Sequence, residues 1–444
     1  SMQVRKLVCR SINTLLEHHA QYIQPQWESI CQFMLQSTIQ PLHQQQQQQC
    51  HTLDDQIDVV TEACEFWLIF ASLDEIFLTA SMIETVEKSL PQLIPTLLNS
   101  MVYSYEQRID LQAQNELELQ REPNSISSQA MKPLFHQTKS KFEGGQNAND
   151  VTNIGGDDDD NDDDDDDDSL NEDDNEWNLR KFAGASLDTL ANLYGAEPIL
   201  PNLLPPLQLG LSSTDPWVQE ASILALGAVA DGCREEMYTH MNALFPYLMN
   251  LLAIQELPQN LPQVKCICAW TVSRYADWIM NEVKTGSQGH LLAQTTEILL
   301  NRLHDRNRKV QVACCSALGE LMETVGDMMV PFLQEICVAL VSAISRYQGR
   351  SLVIVFDTLG IMADNCGQAI GENDLPRIYV PPLLALWNNI SRQDPMNPIS
   401  LPLMESLATI AVTCNINYQP FALETFEMSM AIIEQVQLVL TTTD

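Results

Sequence analysis

The sequence predicts an all-α protein built from repeated pairs of helices. Of its 444 residues only 17 are glycine, and no long stretch alternates apolar and polar residues as strands do. Three stretches can be superimposed, beginning at Val218, Val264 and Val310, and these valines are 46 residues apart in both steps. Apolar residues occupy matching positions in the three stretches, which predicts that the same helix face is buried in each copy.

The period identifies the class of repeat. Further copies of the pattern begin at Leu352, Val4, Val59, Asn178 and Leu401. Leucines at helical spacing fill the intervals, with prolines near the predicted helix starts, and predict a partner helix for each copy. A repeat of about 40–47 residues is typical of HEAT or armadillo solenoids, and two continuous helices per copy favour HEAT. We therefore expect antiparallel helix pairs stacked in a right-handed superhelix that begins and ends within a repeat.

A long insertion interrupts the array. The helix that ends near Tyr103 should be followed within a few residues by its partner, but the partner begins only at Trp177. Within the insertion, 15 of the 20 residues from 157 to 176 are Asp or Glu. A run of like charges cannot be buried or pair with itself, so it predicts a solvated, disordered segment. We divide the chain into repeats at 1–103, a disordered acidic loop at 104–176, and repeats at 177–444 that form the binding surface.

Charge and cysteine usage limit the partners and the compartment. The net charge is −36, and the chain outside the acidic run still has 44 acidic residues against 23 basic ones. This balance argues against nucleic acid as a direct partner and favours basic ligands. The 12 cysteines are scattered or lie in apolar helical stretches, which predicts reduced core thiols in a cytosolic or nuclear protein. We find no signal peptide and no apolar run approaching the ~18 residues of a membrane span, so no membrane insertion is expected.

The sequence lacks the motifs of the common enzyme classes. It contains no HExxH, GxxxxGK[ST], GxGxxG or GxSxG pattern, and its cysteines and histidines show no zinc spacing. Three aspartates near predicted helix ends, Asp231, Asp277 and Asp305, are explained as helix caps or solvated loop residues. The sequence therefore predicts a protein that is not an enzyme and has no cofactor and no metal site.

One face of the solenoid is the candidate functional surface. In a helical-repeat array one helix of each pair lines the concave side and forms an extended groove. Trp270 and Arg274 are four residues apart and so share a helix face. Acidic pairs share a face in the next two copies: Glu320 with Glu323, and Asp357 with Asp364. Such a groove would receive an extended basic peptide with interspersed apolar side chains. The alternative is that Trp270 packs between repeats and the acids are merely hydrated, and composition favours neither.

Several segments go beyond a generic repeat pattern. They are VRKLVCR at 4–10, EACEFWL at 62–68, PLFH at 133–136, WNLRK at 177–181, LDTLANLY at 187–194, AWTVSRYADW at 269–278 and GIMAD at 360–364. With these motifs the chain resembles the transportin branch of the karyopherin-β (importin-β) family of nuclear import receptors, from Val4 to about Leu440. The position of the acidic insertion and its flanking helices is similar too.

The resemblance implies a function and a set of partners. It implies an import receptor that binds basic, proline-tyrosine-type nuclear localisation signals on its concave surface, including those of RNA-binding proteins. The GTPase Ran in its GTP form would release cargo by acting through the acidic loop. Nucleoporins would be further partners of a monomer that shuttles between cytoplasm and nucleus. The carboxylates of the releasing loop would be Asp157, Asp158, Asp159, Asp160, Asp162, Asp163, Asp164, Asp165, Asp166, Asp167, Asp168, Glu172, Asp173, Asp174 and Glu176.

The resemblance also implies cargo-contact positions. These are Asp188, Leu224, Asp231, Ile267, Trp270, Arg274, Ala313, Glu320, Glu323, Asp357, Ile361 and Asp364. Asp357 and Glu323 would pair with basic side chains of the signal, and Trp270 with Ile267 would hold its apolar part. Glu320 and Ile361 stand where the family often has threonine, so the cargo preference can differ. Two alternatives stay open: a HEAT-repeat scaffold without a transport role, and a karyopherin-β relative with another cargo class.

Overall fold

The computed structural model describes residues 2–44, 53–74, 76–120, 178–254, 261–286, 289–393 and 397–442, and within these ranges it contains helices and no strands. In chain order the α-helices are α1 (Met2–Ile23), α2 (Trp27–Gln44), α3 (Leu53–Ala71), α4 (Ala80–Glu87), α5 (Leu90–Ser100), α6 (Tyr105–Gln120), α7 (Leu179–Tyr194), α8 (Ala196–Leu211), α9 (Pro216–Ala228), α10 (Arg234–Ala253), α11 (Pro262–Arg274), α12 (Ala276–Lys284), α13 (Leu291–Arg302), α14 (Arg308–Val325), α15 (Leu333–Ile344), α16 (Arg350–Glu372), α17 (Pro376–Gln393), α18 (Ser400–Cys414) and α19 (Gln419–Thr442). The prediction of an all-α fold is confirmed.

The helices form two stacked layers. One layer is α1, α3, α7, α9, α11, α14, α16 and α18, each packed against the next. We call it the inner layer, after the expectation that one helix of each pair lines the concave side. The remaining helices apart from α6 form the outer layer, in which α4 with α5 and α12 with α13 each replace one long helix. This is the predicted solenoid of helix pairs.

Local signals in the sequence start and stop the inner helices. The side chains of Asn178, Asp215 and Asn307 accept hydrogen bonds from backbone N–H groups in the first turns of α7, α9 and α14. Such N-caps satisfy donors that have no partner within the helix. The helices α7 and α14 end at Gly195 and Gly326, whose φ angles of 72° and 54° favour glycine. The turns that separate the repeats are therefore encoded locally.

A continuous core fills the space between the layers, and charged groups are buried with it. Arg180 on α7 pairs with Glu220 on α9, and both side chains are almost fully buried. Lys265 on α11 pairs with Asp305, which follows α13, at 2.9 Å. Ten of the eleven described cysteines are buried and all eleven are free thiols, so the prediction of core thiols is confirmed for them. The stack is held by apolar contacts together with these polar links.

One stretch, Arg308–Ile344, is long and apolar enough to cross a membrane by length and composition alone. The expectation that no such run exists is therefore wrong on composition. In the structure the stretch is divided into α14, a 3-10 segment at Gly326–Phe332 and α15, which belong to different layers of the solenoid. This division is what core helices of a stacked array show, and we take the stretch as core.

The structure corrects the predicted start of the insertion. Residues from 104 onward were expected to be disordered, but Tyr105–Gln120 forms the helix α6. Its buried Leu111 lies in a small cluster with Tyr103 and Trp217, whose ring centroids are 5.4 Å apart. The rest of the predicted loop, including the acidic run, lies outside the described residues.

Helix α6 contacts the starts of three consecutive inner helices, α9, α11 and α14. The polar contacts are Arg108 with Asp215 at 3.3 Å, Asn115 with Gln263 at 3.0 Å, and Lys309 with Gln114 at 3.1 Å. Each contact belongs to a different repeat, so α6 bridges three repeats along one edge of the solenoid. We call α6 the strap. It fixes the direction in which the chain leaves the repeats towards the insertion.

The leucine at the centre of the strap provides a test of its docking. Leu111→Ala should lower the free energy of opening of α6 by about 2 kcal/mol or more, because a buried leucine side chain is removed. Native-state hydrogen exchange of the α6 amides measures this. Leu117→Ala is the matched control on the same helix, since Leu117 is 60 % exposed whereas Leu111 is 8 % exposed. Equal losses in the two variants would contradict the docking.

Candidate functional site

All twelve predicted cargo-contact residues lie on the inner layer between α7 and α16, or in the turn after α9. The structure brings four of them together: Asp188 on α7, Asp231 after α9, and Trp270 with Arg274 on α11. We call these four the arginine-carboxylate cluster. It spans three consecutive repeats and lies towards the C-terminal ends of the inner helices, whereas the strap lies at their N-terminal ends.

Arg274 is the centre of the cluster. Its Nη2 atom is 2.8 Å from Asp231 Oδ2 and 3.5 Å from Asp188 Oδ2. Its Nε donates to the carbonyl oxygen of Gly227 at 3.4 Å, and its guanidinium carbon is 5.8 Å from the ring centroid of Trp270. The side chain is only 10 % exposed. Arg274 is thus held on several sides and orients the two carboxylates and the indole.

Trp270 lies directly on the neighbouring helix. A Cβ atom at Gly227 of α9 would overlap the Trp270 indole, so only glycine leaves room for this packing. The indole is nevertheless not fully buried. The packing of Trp270 between repeats is therefore confirmed, and its role as an aromatic platform stays a prediction, which the partial exposure of the residue permits.

The environment of Asp188 changes its acidity. Burial raises the pKa of the Asp188 carboxyl to about 6, the Arg274 guanidinium opposes this rise, and the Asp231 carboxylate adds to it. Asn192, one turn later on α7, donates a hydrogen bond to Asp188 Oδ1 at 3.0 Å. Removal from water disfavours the charged form of a carboxyl, and a second carboxylate nearby does the same. The negative charge of the cluster therefore depends on pH near neutrality.

Sequence reasoning missed Arg234, the first residue of α10. Its Nη1 atom is 2.7 Å from Asp277 Oδ2, and its Nη2 atom is 3.5 Å from Asp231 Oδ1. A signal for this arrangement exists in the repeat register, because Asp231, Asp277 and Glu323 each lie 13 residues after the starting valine of their copy. The interpretation of Asp231 and Asp277 as caps or solvated loop residues is incomplete, since both are ion-paired.

Asp305, the third aspartate explained in that way, has a side chain that is only 9 % exposed. It accepts hydrogen bonds from Lys265 at 2.9 Å and Arg302 at 3.0 Å, and it also accepts from the backbone N–H of Asn307. Burial acts to raise the pKa of Asp305, but these donors hold it below its usual value. Asp305 is therefore structural, and describing it as solvated is wrong.

A second acidic group follows on the next two inner helices. The predicted residues here are Glu320 and Glu323 on α14, and Asp357, Ile361 and Asp364 on α16. Glu323, Asp357 and Asp364 are exposed, and none forms an ion pair with another residue in the described part of the chain. Burial raises the pKa of Asp357, and a further contribution comes from Glu405 on α18, which sequence reasoning also missed. Glu323, Asp357 and Asp364 thus form a row of exposed carboxylates.

Three predicted contact residues are buried instead. Leu224, Ile267 and Ala313 are 2 %, 1 % and 5 % exposed, respectively, and belong to the core between inner helices. Each side chain points to a neighbouring helix because the stack uses that face for packing. We therefore correct their role from contact with cargo to support of the surface. Ile361 is intermediate: its Cδ1 atom is 3.3 Å from the place of a Cβ at Gly319, so it packs on α14 and stays partly exposed.

A cleft of about 1340 Å³ beneath the strap is another concave feature. Two of its charged lining residues, Lys265 and Arg302, are buried and pair with Asp305. No group of three or more His, Cys, Asp or Glu side chains suited to a metal ion occurs in the ranges that the structure describes. The inner layer remains the better candidate site.

The chain is similar in sequence to known nuclear transport proteins over nearly its whole length. No family model matches the chain. The chain is 34 % identical over 433 residues to transportin-1 of Mus musculus, covering 98 % of this chain and 43 % of that protein. It is 32 % identical over 448 residues to importin subunit beta-2 of Schizosaccharomyces pombe, covering 100 % of this chain and 46 % of that protein. The chain thus spans less than half the length of these relatives.

Solved structures share the fold. Kap121p bound to Pho4p matches with a TM-score of 0.64 at 15 % identity over 100 % of this chain and 35 % of that one. Kap95p in a complex with RanGDP matches with a TM-score of 0.63 at 15 % identity over 97 % and 43 %. At such identity the likeness concerns the fold alone. The chain is therefore a homologue of transportin-1 and importin subunit beta-2 along nearly its whole length, and it has the HEAT-repeat solenoid fold of the karyopherins.

Proposed function

We propose that this chain is the cargo-binding part of a nuclear import receptor that holds an extended basic peptide against its inner layer. The observation that carries the proposal is the arginine-carboxylate cluster, in which a partly exposed indole is fixed beside carboxylates from two neighbouring repeats. The open carboxylates of α14 and α16 continue the surface. An aromatic anchor next to a row of acids suits a peptide that alternates basic and apolar residues.

The energetics suit a reversible carrier. An exposed ion pair contributes about 0.2–1 kcal/mol, so affinity must come from many contacts and a few packed anchors such as Trp270. A cargo segment that is disordered before binding also loses conformational entropy, which keeps the complex dissociable. Because charge complementarity carries much of the attraction, added salt should weaken it.

The proposal extends to specific signals and partners. From the family resemblance we propose that the signals are basic and of the proline-tyrosine type, including those of RNA-binding proteins, and that nucleoporins and Ran in its GTP form are further partners. Among solved structures of the same fold, Kap121p is bound to Nup53p, and Kap95p is in a complex with RanGDP. A monomer that shuttles between cytoplasm and nucleus and performs no catalysis fits this role.

The acidic loop is proposed to help release cargo. The aspartates at 157–168 lie about 9–20 residues before Trp177 in the sequence, and a flexible chain of that length reaches roughly 16–25 Å. Asp188 of the cluster lies on α7, the helix that follows the loop. Tethering gives the loop a high effective concentration near the groove, where it can compete with a basic cargo. Ran would act through this competition in the longer receptor.

Two other functions remain candidates. A scaffold without a transport role would have regular repeats of about 39 residues and no long acidic insertion, whereas this chain has copies 46 residues apart and such an insertion. A karyopherin relative with another cargo class is favoured by Glu320 and Ile361, which occupy positions where threonine was expected from the resemblance. Binding of a panel of signal peptides of different classes distinguishes the proposed receptor from a relative with another cargo class.

Removal of the aromatic anchor tests the proposal directly. Trp270→Ala should weaken binding of a basic proline-tyrosine peptide at low salt by about tenfold or more, as expected for an aromatic anchor. Fluorescence anisotropy of the labelled peptide measures the dissociation constant. Tyr105→Ala is the control, since Tyr105 is an exposed aromatic residue on the strap. If the unchanged protein does not bind the peptide, the proposed function is wrong.

Binding of the same peptide should also depend on pH. The pKa of Asp188 is about 6, so acidification from about pH 7 to about pH 5 protonates this carboxyl and reduces the negative charge of the cluster. Affinity should therefore fall on acidification, and Asp188→Asn should remove much of this pH dependence. Titrations at several pH values measure the effect. An unchanged pH profile in the variant would show that Asp188 does not contribute.

The loop is tested in the longer receptor. Deletion of residues 149–175 should slow or prevent displacement of the bound peptide by Ran in its GTP form, because the competing carboxylates are lost. In this chain without Ran the deletion should leave peptide affinity nearly unchanged, because the loop is proposed to displace cargo only when Ran engages it. Displacement is followed by the anisotropy of the labelled peptide. Normal release after the deletion would exclude the loop as the displacing element.

A further inference from the structure

Resting on the proposed function, we infer that Arg234 is a built-in competitor of the basic cargo. It occupies Asp231 of the arginine-carboxylate cluster and also Asp277, which is outside the cluster, and an incoming basic side chain must displace it to bind there. Arg234 would therefore weaken the binding of peptides that carry few positive charges. Arg234 and Arg274 therefore have opposite roles: Arg274 supports the cluster, and Arg234 competes with cargo for Asp231 and Asp277.

The contacts of Arg234 occupy the positions that a ligand would use. Its Nη1 atom lies 2.7 Å from Asp277 Oδ2, which is ordinary ion-pair distance, and its Nη2 atom lies 3.5 Å from Asp231 Oδ1. The other oxygen of Asp231, Oδ2, is held by Arg274 at 2.8 Å. A lysine or arginine from a peptide can approach the same two carboxylates only if Arg234 moves away.

Exposure distinguishes the two arginines. The side chain of Arg234 is 48 % exposed, and that of Arg274 is 10 % exposed. Arg274 also donates to the Gly227 carbonyl and lies over the Trp270 ring, so moving it would disrupt packing. Arg234 forms only the two ion pairs among the contacts described, and both carboxylates are about one-third exposed, at 37 % and 34 %. A long, flexible side chain with exposed ion pairs can move into solvent at small cost.

The location makes the competition relevant to binding. Asp231 and Asp277 are repeat-equivalent positions, and the next equivalent residue, Glu323, is exposed with no ion pair to any residue in the described part of the chain. A basic peptide that runs along this row meets an open carboxylate in one repeat and occupied ones in the two before it. Peptides with several basic residues can displace Arg234, and those with a single one gain less.

A peptide titration tests the inference. The probe is a labelled synthetic peptide of about 20 residues with interspersed arginines and lysines and a C-terminal proline-tyrosine pair, titrated at low salt. Arg234→Ala should bind it about three- to tenfold more tightly, the gain expected when two exposed ion pairs no longer have to be broken. Arg274→Ala should bind it more weakly, because the carboxylates and the indole lose their support. The gain in Arg234→Ala should shrink as salt is added.

The control removes the same charge elsewhere. Arg377 on α17 forms an exposed ion pair with Asp374 at 2.8 Å, three residues apart in sequence like Arg234 and Asp231. Arg377→Ala should therefore bind the peptide like the unchanged protein. A similar gain in both variants would overturn the inference, because it would show only the effect of net charge. Arg234→Gln repeats the test with a side chain of similar length, and thermal unfolding checks that each variant is folded.

The outcomes separate the inference from the proposed function. If the unchanged protein binds the peptide and Arg234→Ala binds it no more tightly, the competitor role is wrong and the cargo function stands. If neither protein binds, the proposed function itself fails. In an Asp277→Asn background the gain from Arg234→Ala should be smaller, since one of the two ion pairs is already absent. An undiminished gain there would exclude Asp277 as the group that Arg234 occupies.

Discussion

A pair of HEAT helices cannot bury its apolar face alone, and the stacking of the inner helices is the constraint on which the rest of this chain depends. Each inner helix contributes side chains to the core on both of its flanks, so burial is continuous through the array. The buried charged side chains in the described part of the chain are ion-paired, as Arg180 with Glu220, and Lys265 and Arg302 with Asp305. Removing one partner of such a pair typically costs about 3–5 kcal/mol, which ties these repeats to their register.

The same stacking builds the candidate site. Close packing of α9 and α11 at Gly227 places the Trp270 indole against the previous repeat and leaves part of the ring on the surface. Arg274, at the end of α11, then reaches carboxylates from the two preceding inner elements. The site is therefore a product of three consecutive repeats. A change in their spacing would separate Asp188 from Arg274 and alter the surface offered to a peptide.

The docking of the strap onto the repeats could not be predicted from the sequence. Its docking depends on one buried leucine and on polar side chains such as Arg108 and Asn115, which look like ordinary surface residues in the sequence. Each polar contact has its partner more than one hundred residues further along the chain. Because local composition carries no information about such distant partners, the sequence predicted disorder where a helix forms. Residues 121–177 lie beyond this helix and outside the described part of the chain.

The sequence by itself determined the all-α class, the paired helices and their register, because a 46-residue period, apolar spacing and local caps such as Asp215 are properties of neighbouring residues. It also grouped Trp270 with Arg274, since the two residues share a helix face. Only the tertiary structure decided which of those residues are available. Packing buried Leu224, Ile267 and Ala313, made Arg274 a support and paired Arg234 with Asp231 and Asp277. Burial and ion pairing depend on which repeats approach each other and at what distance, and that geometry is set by the stack.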